Sequence, residues 1–157
     1  MNIWFRVFGT NDADPEPAVL LEMLRCLEPN VTGKFSGDDQ GWFRAVFTLD
    51  ADEPSLILER YLASEEGIRS QIMTWIAWLE TLEGSSNRER LMDLLVACKQ
   101  LFTLHANGDN EDAAWGEDLC FALCQCLARL TEGVFQIDDR GFHAADGTLL
   151  LEETASD

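Results

Sequence analysis

The amino-acid sequence predicts an α+β domain in which a mainly antiparallel sheet packs against helices. Three observations predict it. Short runs rich in aromatic and β-branched residues, closed by Gly, Asp or Pro turn signals, read as strands. Longer runs carry leucine and isoleucine at helical spacing. The order strand, acidic loop, helix, hairpin also occurs twice. The 157 residues, 46% of them hydrophobic, suit one compact domain over 1–157, and no low-complexity linker divides it.

The elements follow in chain order. Ile3 to Phe8 reads as a strand closed by Gly9. Asp14 is placed to cap a helix with Pro15 at its first position, where the missing N–H costs nothing. Leu20, Leu21, Leu24 and Leu27 form that helix's stripe, and Pro29 ends it. Val31 to Ser36 and Trp42 to Leu49 form a hairpin around Gly37-Asp38-Asp39-Gln40-Gly41, with Gly41 in the left-handed position. Asp50 to Pro54 is an acidic loop, and Ser55 to Tyr61 is either a further strand or the lead into a helix.

Ser64 is placed to cap the next helix, with Glu65 and Glu66 in its first turn and Ile68, Ile72, Trp75, Leu79 and Leu82 on one face. Gly84-Ser85-Ser86 breaks it. Ser86 with Glu89 reads as a capping box for a helix carrying Leu91, Leu94, Leu95 and Cys98. Leu101 to Ala106 reads as a strand, 107–112 as an acidic loop, and Ala113 to Leu130 as a helix. A last hairpin runs through Val134 to Ile137 and from Phe142 to Leu151, and the polar tail 152–157 frays.

Sliding the chain against itself sharpens the recurrence. At an offset of 100 residues, ten of the thirty positions from 20 to 49 are identical, including Cys26-Leu27, Gly33, Phe35, Asp38-Asp39 and Gly41. Ordinary usage gives roughly two. The sequence thus suggests two βαββ halves, 3–49 and 102–151, joined by a helical connector over 64–98. Convergence on one hairpin grammar is the alternative, and the strand order of the halves decides between them.

Charge bounds the function. With 29 Asp and Glu against 11 Lys and Arg, the net charge is -18. Such a field repels nucleic acid and anionic membranes and attracts basic protein surfaces, while also keeping an aromatic-rich domain soluble. No apolar run approaches the ~20 residues of a membrane span, and Met1 to Arg6 does not resemble a signal peptide. Five cysteines suit a reducing cytoplasm.

Candidate chemistry is sparse. Asp38-Asp39 and Asp138-Asp139 could divide acid and base roles or bind a metal, yet each pair stands where a hairpin turn favours Asp before Gly. The 107–112 loop lacks the alternating ligands of a calcium loop. Cys120, Cys124 and Cys126 lack the spacing of a zinc site and read as small buried hydrophobes. His105 and His143 are the two histidines, and a Cys/His pair such as Cys98 with His105 could meet as nucleophile and base. No catalytic residue, metal or cofactor is therefore expected.

The aromatics are better placed for binding. Trp42 and Phe43, adjacent on a strand, face opposite sides of the sheet. Trp78 sits about 80° from the centre of its helix's apolar stripe. With Asp38, Asp39, Asp138 and Asp139, they form the expected partner-binding set. The leading expectation is a non-enzymatic interaction protein, of inhibitor, immunity or regulatory kind, that binds a basic protein partner. The rivals are a small-molecule sensor or enzyme with a cleft between the halves, and a homodimer formed through a sheet edge.

Overall fold

Alternating apolar residues lay the chain into a sheet, and the helical stripes are laid over its two faces. A computed structural model describes residues 3–48, 55–107 and 114–153. The acidic loop expected at 50–54 and residues 108–112 of the one expected at 107–112 lie outside the described residues, as does the tail beyond 153, while Asn107 ends a strand.

The described residues form, in order, β1 (Phe5–Gly9), α1 (Pro17–Leu27), β2 (Thr32–Asp38), β3 (Gly41–Thr48), β4 (Ser55–Leu62), α2 (Ile68–Glu80), α3 (Ser86–Val96), β5 (Gln100–Asn107), α4 (Ala114–Leu130), β6 (Val134–Ile137), β7 (Gly141–Ala144) and β8 (Leu149–Glu152). The strands join in one eight-stranded sheet of order β2-β3-β4-β5-β1-β6-β7-β8. Every neighbouring pair is antiparallel. The α+β class is as the sequence predicts, and Ser55 to Tyr61 resolves as a strand.

Alternation divides β1 between two cores. Phe5 and Val7 join Leu20 and Leu24 of α1 and Leu123 and Leu127 of α4 on one face. Phe8 joins Ile72, Ile76 and Leu79 of α2 and Leu91 and Leu95 of α3 on the other. The molecule is therefore a helix–sheet–helix sandwich. Its second helix pair is seated on Phe8, Leu101, Val134 and Phe142, leaving part of that sheet face uncovered by the described residues.

The topology does not confirm the duplication. In the first half β2 is the outermost strand, whereas its counterpart β6 lies inside the sheet against β1. Composition explains the difference: Thr-Gly-Lys-Phe-Ser-Gly-Asp is largely exposed and suits an edge, while Val-Phe-Gln-Ile is buried at every position. The second arms also differ. β3 runs unbroken from Gly41 to Thr48, but the expected last hairpin turns again at Gly147 (φ 93°) and returns as β8.

Three helix starts shift from their expected places. α1 begins at Pro17 with no side-chain cap, because Asp14 turns instead toward Arg60, 3.7 Å away. α2 begins after Gly67, whose left-handed backbone (φ 87°) redirects the chain, so Ser64 stays in the preceding turn. For α3 the cap is Ser85, accepting a bond from the Arg88 N–H, while Glu89 pairs with the Arg88 side chain.

Candidate binding site

The two Asp pairs, equivalent in sequence, lie at opposite ends of the sheet. β2 runs parallel to β1 and β6 antiparallel to it, so their following turns emerge at opposite ends of the strands.

At the β2–β3 end, Asp38 Oδ1 accepts the Gln40 N–H at 2.8 Å, an Asx turn that leaves its charge unpaired by any cation among the described residues. Next to it, Gly37 pairs with Trp42 and Ser36 with Arg44, so Phe43 is an extra, bulged residue. The bulge separates the two aromatics. Trp42 is 6% exposed, its indole N–H donating to the Pro15 carbonyl at 2.6 Å, whereas Phe43 is 46% exposed. Trp42 is thus a core residue, and Phe43 is the aromatic at the surface.

Beneath this turn lies Arg60, 7% exposed. Its Nε donates to Gln100 Oε1 at 2.8 Å, its Nη1 to the Trp42 carbonyl at 3.2 Å, and its guanidinium lies 5.9 Å from the Trp42 ring. Asp38, Gln40, Phe43, Arg60 and Glu65 line an open cleft of about 320 Å³ here. The segments 10–16, 38–40 and 63–67 all reach this end of the sheet, and Asp12, Asp14, Glu16, Asp38, Asp39, Glu65 and Glu66 are all exposed on them. The exposed cations of this end are Arg69 and Lys99. Carboxylates predominate.

The other turn is spent internally. Asp138 Oδ1 accepts from Arg6 Nη1 at 2.6 Å and from Gln136 Nε2 at 3.1 Å, and Oδ2 accepts the Trp4 N–H at 3.2 Å. Burial pushes the Asp138 carboxyl up, but the bonds from Gln136, Arg6 and Trp4 outweigh it and hold the group below its ordinary range. Asp139 has a left-handed backbone (φ 67°) and donates its N–H to Glu153 Oε2. Trp78 is half-buried and stacks on Phe142, centroids 6.1 Å apart, within the packing of α2 on the sheet.

A second cleft lies on the uncovered sheet face, at the seam where β1 meets β5. The row crossing it reads Ser36, Arg44, Glu59, Thr103, Arg6, Gln136, each residue in register with the next. Over Thr103 opens a space of about 260 Å³ lined by Trp4, Arg6, Glu59, Tyr61, Gln71 and Thr103. Tyr61 donates its hydroxyl to Glu59 Oε2 at 3.1 Å, and burial together with Glu59 raises its pKa. Trp4 stacks on His105 with centroids 3.9 Å apart. Burial lowers the His105 pKa against the opposing pull of Glu59, so the ring is neutral at neutral pH.

Of these seam residues, the sequence singled out only His105, as one half of a possible nucleophile pair. Glu59 and Tyr61, two apart on a strand, do announce a polar face. Trp4 meeting His105 depends on the pairing of β1 with β5, which no local pattern specifies.

Of the remaining candidates, Cys98, Cys120, Cys124 and His143 are buried. Burial pushes the Cys98 thiol up to about 11, Cys120 to about 12, and Cys124 well above its ordinary value. Cys98 precedes the start of β5 and His105 lies toward its far end, roughly 17 Å along the strand, so the pair does not meet. His143 is buried face-to-face against Phe135, 5.1 Å away. Among the described residues no group of three or more His, Cys, Asp or Glu could hold a metal ion, and no helix is long and apolar enough to cross a membrane. No family model matches the chain, and no curated protein or solved structure matches it.

Proposed function

We propose that the protein is a non-enzymatic interaction domain whose acidic end docks on a basic protein partner. One observation carries the reading: exposed carboxylates on three separate segments gather at the end of the sheet where the β3 bulge holds Phe43 out to solvent. An exposed aromatic ringed by one sign of charge suits a steered contact with an apolar anchor. Arg60, the cation under the cleft, pairs with Asp14 and so offsets one of these carboxylates, leaving the others in excess. The five cysteines are all free, which supports a reducing, cytoplasmic compartment. The net charge of -18 disfavours nucleic acid as the partner.

The test is capture from lysate at low ionic strength, comparing two variants of equal net charge. One neutralises Asp38, Asp39, Glu65 and Glu66; the other neutralises Glu22, Glu80, Glu83 and Asp93, exposed elsewhere. The first, and Phe43→Ser, should lose the partner, and the second should keep it. Equal loss in both charge variants would reduce the effect to net charge and sink the proposed location. Self-association through the exposed β2 edge is the competing outcome, read by light scattering.

A further inference from the structure

We propose that the seam cleft is a subsite for an organic cation, an alkylammonium or guanidinium group, held against Glu59 between Trp4 and Tyr61. The cleft's charges do not cancel. Arg6 is committed to Asp138 and Gln136 through Nη1, and its guanidinium lies 5.2 Å from the Trp75 ring. Arg6 and Asp138 together are neutral. Glu59 has no such partner: no ion pair among the described residues uses it. Among the described residues its side chain accepts a bond only from the neutral Tyr61 hydroxyl, on Oε2.

Arg44 stands opposite Glu59 in register but is exposed and does not close on it. A half-buried carboxylate beside an indole and a phenol is the chemistry that holds ammonium and guanidinium groups, and the indole is the best ring for it. The surrounding field of a chain at -18 concentrates cations. The space of about 260 Å³ falls just short of drug-sized pockets and suits a side-chain-sized group.

The same chemistry arrives from two sources, a free amine or a lysine or arginine side chain of the basic partner. The second source rests on the function proposed above; the subsite itself does not. The experiment is a magnetic-resonance titration of the isotope-labelled full chain with n-butylammonium chloride and n-butylguanidinium chloride, against sodium chloride at matched ionic strength. At least one organic cation should shift the Trp4 indole N–H and the Tyr61 and Thr103 amides saturably.

Glu59→Gln should weaken that binding about tenfold, and Arg44→Ala should strengthen it about threefold. Shifts that sodium chloride reproduces, that never saturate, or that persist unchanged in Glu59→Gln would overturn the subsite. In a second arm, a short lysine- or arginine-containing peptide that binds more tightly than the butyl salts assigns the cation to a polypeptide, and one that binds no better assigns it to a free amine. The variant neutralised at Asp38, Asp39, Glu65 and Glu66 should leave the Trp4 shift in place, so failure of the acidic docking end and failure of the cleft read separately.

Discussion

The turns at Asp38-Asp39 and Asp138-Asp139 share a sequence signature and have opposite fates. Asp138 is drawn into a latch with Arg6, Gln136 and the Trp4 N–H, tying the end of β6 to the start of β1. Asp38 caps only its own turn, because Arg60 beneath it is already held by Gln100 and the Trp42 carbonyl. The same dipeptide is structural where a cation stands uncommitted across the strand, and outward-facing where the cation is engaged below. Local sequence supplies the turn; the neighbour from elsewhere in the chain assigns its charge.

The glycines closing the two turns test this contrast most severely. Gly41 and Gly141 both have positive φ, 108° and 124°. A Cβ at Gly141 would lie 2.0 Å from the Leu151 carbonyl oxygen, a backbone atom fixed by the β7–β8 pairing. At Gly41 it would meet the ends of the Asp14 and Arg60 side chains, at 2.7 and 2.9 Å. Gly141→Ala should therefore cost about 4 kcal/mol and Gly41→Ala about 1–2 kcal/mol, compared by urea unfolding. Equal costs would mean that both turns are seated alike.

Arg60→Met comes next. It leaves the Gln100 amide oxygen and the Trp42 carbonyl short of a donor, and should cost about 3 kcal/mol while releasing Asp14. Asp138→Asn should cost about 1 kcal/mol at neutral pH, whereas Asp38→Asn should stay within about 0.5 kcal/mol. The pH dependence sharpens the pair. The folded-state pKa of Asp138 lies below its ordinary value of 3.8. Its contribution is therefore complete above that ordinary value and is lost as pH falls through the depressed one. The stability gap between wild type and Asp138→Asn should close over that acid window, as followed by unfolding at stepped pH.

The first hairpin and most of each helical stripe could be read from residues alone, although Leu27, expected on the stripe of α1, is 52% exposed. Leu20 and Leu24, Ile72 and Leu79, Leu91 and Leu95 all face their cores as their spacing requires. Helix starts were less legible, because Asp14 and Ser64 had competing uses that a cap rule does not see. Strand order was not legible: repeated residues at 33–41 and 133–141 say nothing of whether a strand is an edge or an interior one. Burial of Val134 to Ile137 decides that, and burial depends on β1. The bulge at Phe43 and the Trp4–His105 stack were hidden for the same reason: both are products of pairing rather than of pattern.

That dependence gives β1 a consequence in time. Its two neighbours are β5 and β6, whose residues follow it by roughly a hundred positions or more. During synthesis the strands β2 to β4 can assemble as a consecutive meander, each close in sequence to its predecessor, and β5 joins β4 only after α2 and α3 have been made. β1 has only one of its ladders until β6 has emerged, and neither helix layer can close over a sheet that lacks its middle. A chain built this way closes a long loop between β1 and β5 before its middle exists, so it should fold slowly for its size and complete the sheet only after β6 to β8 have been made.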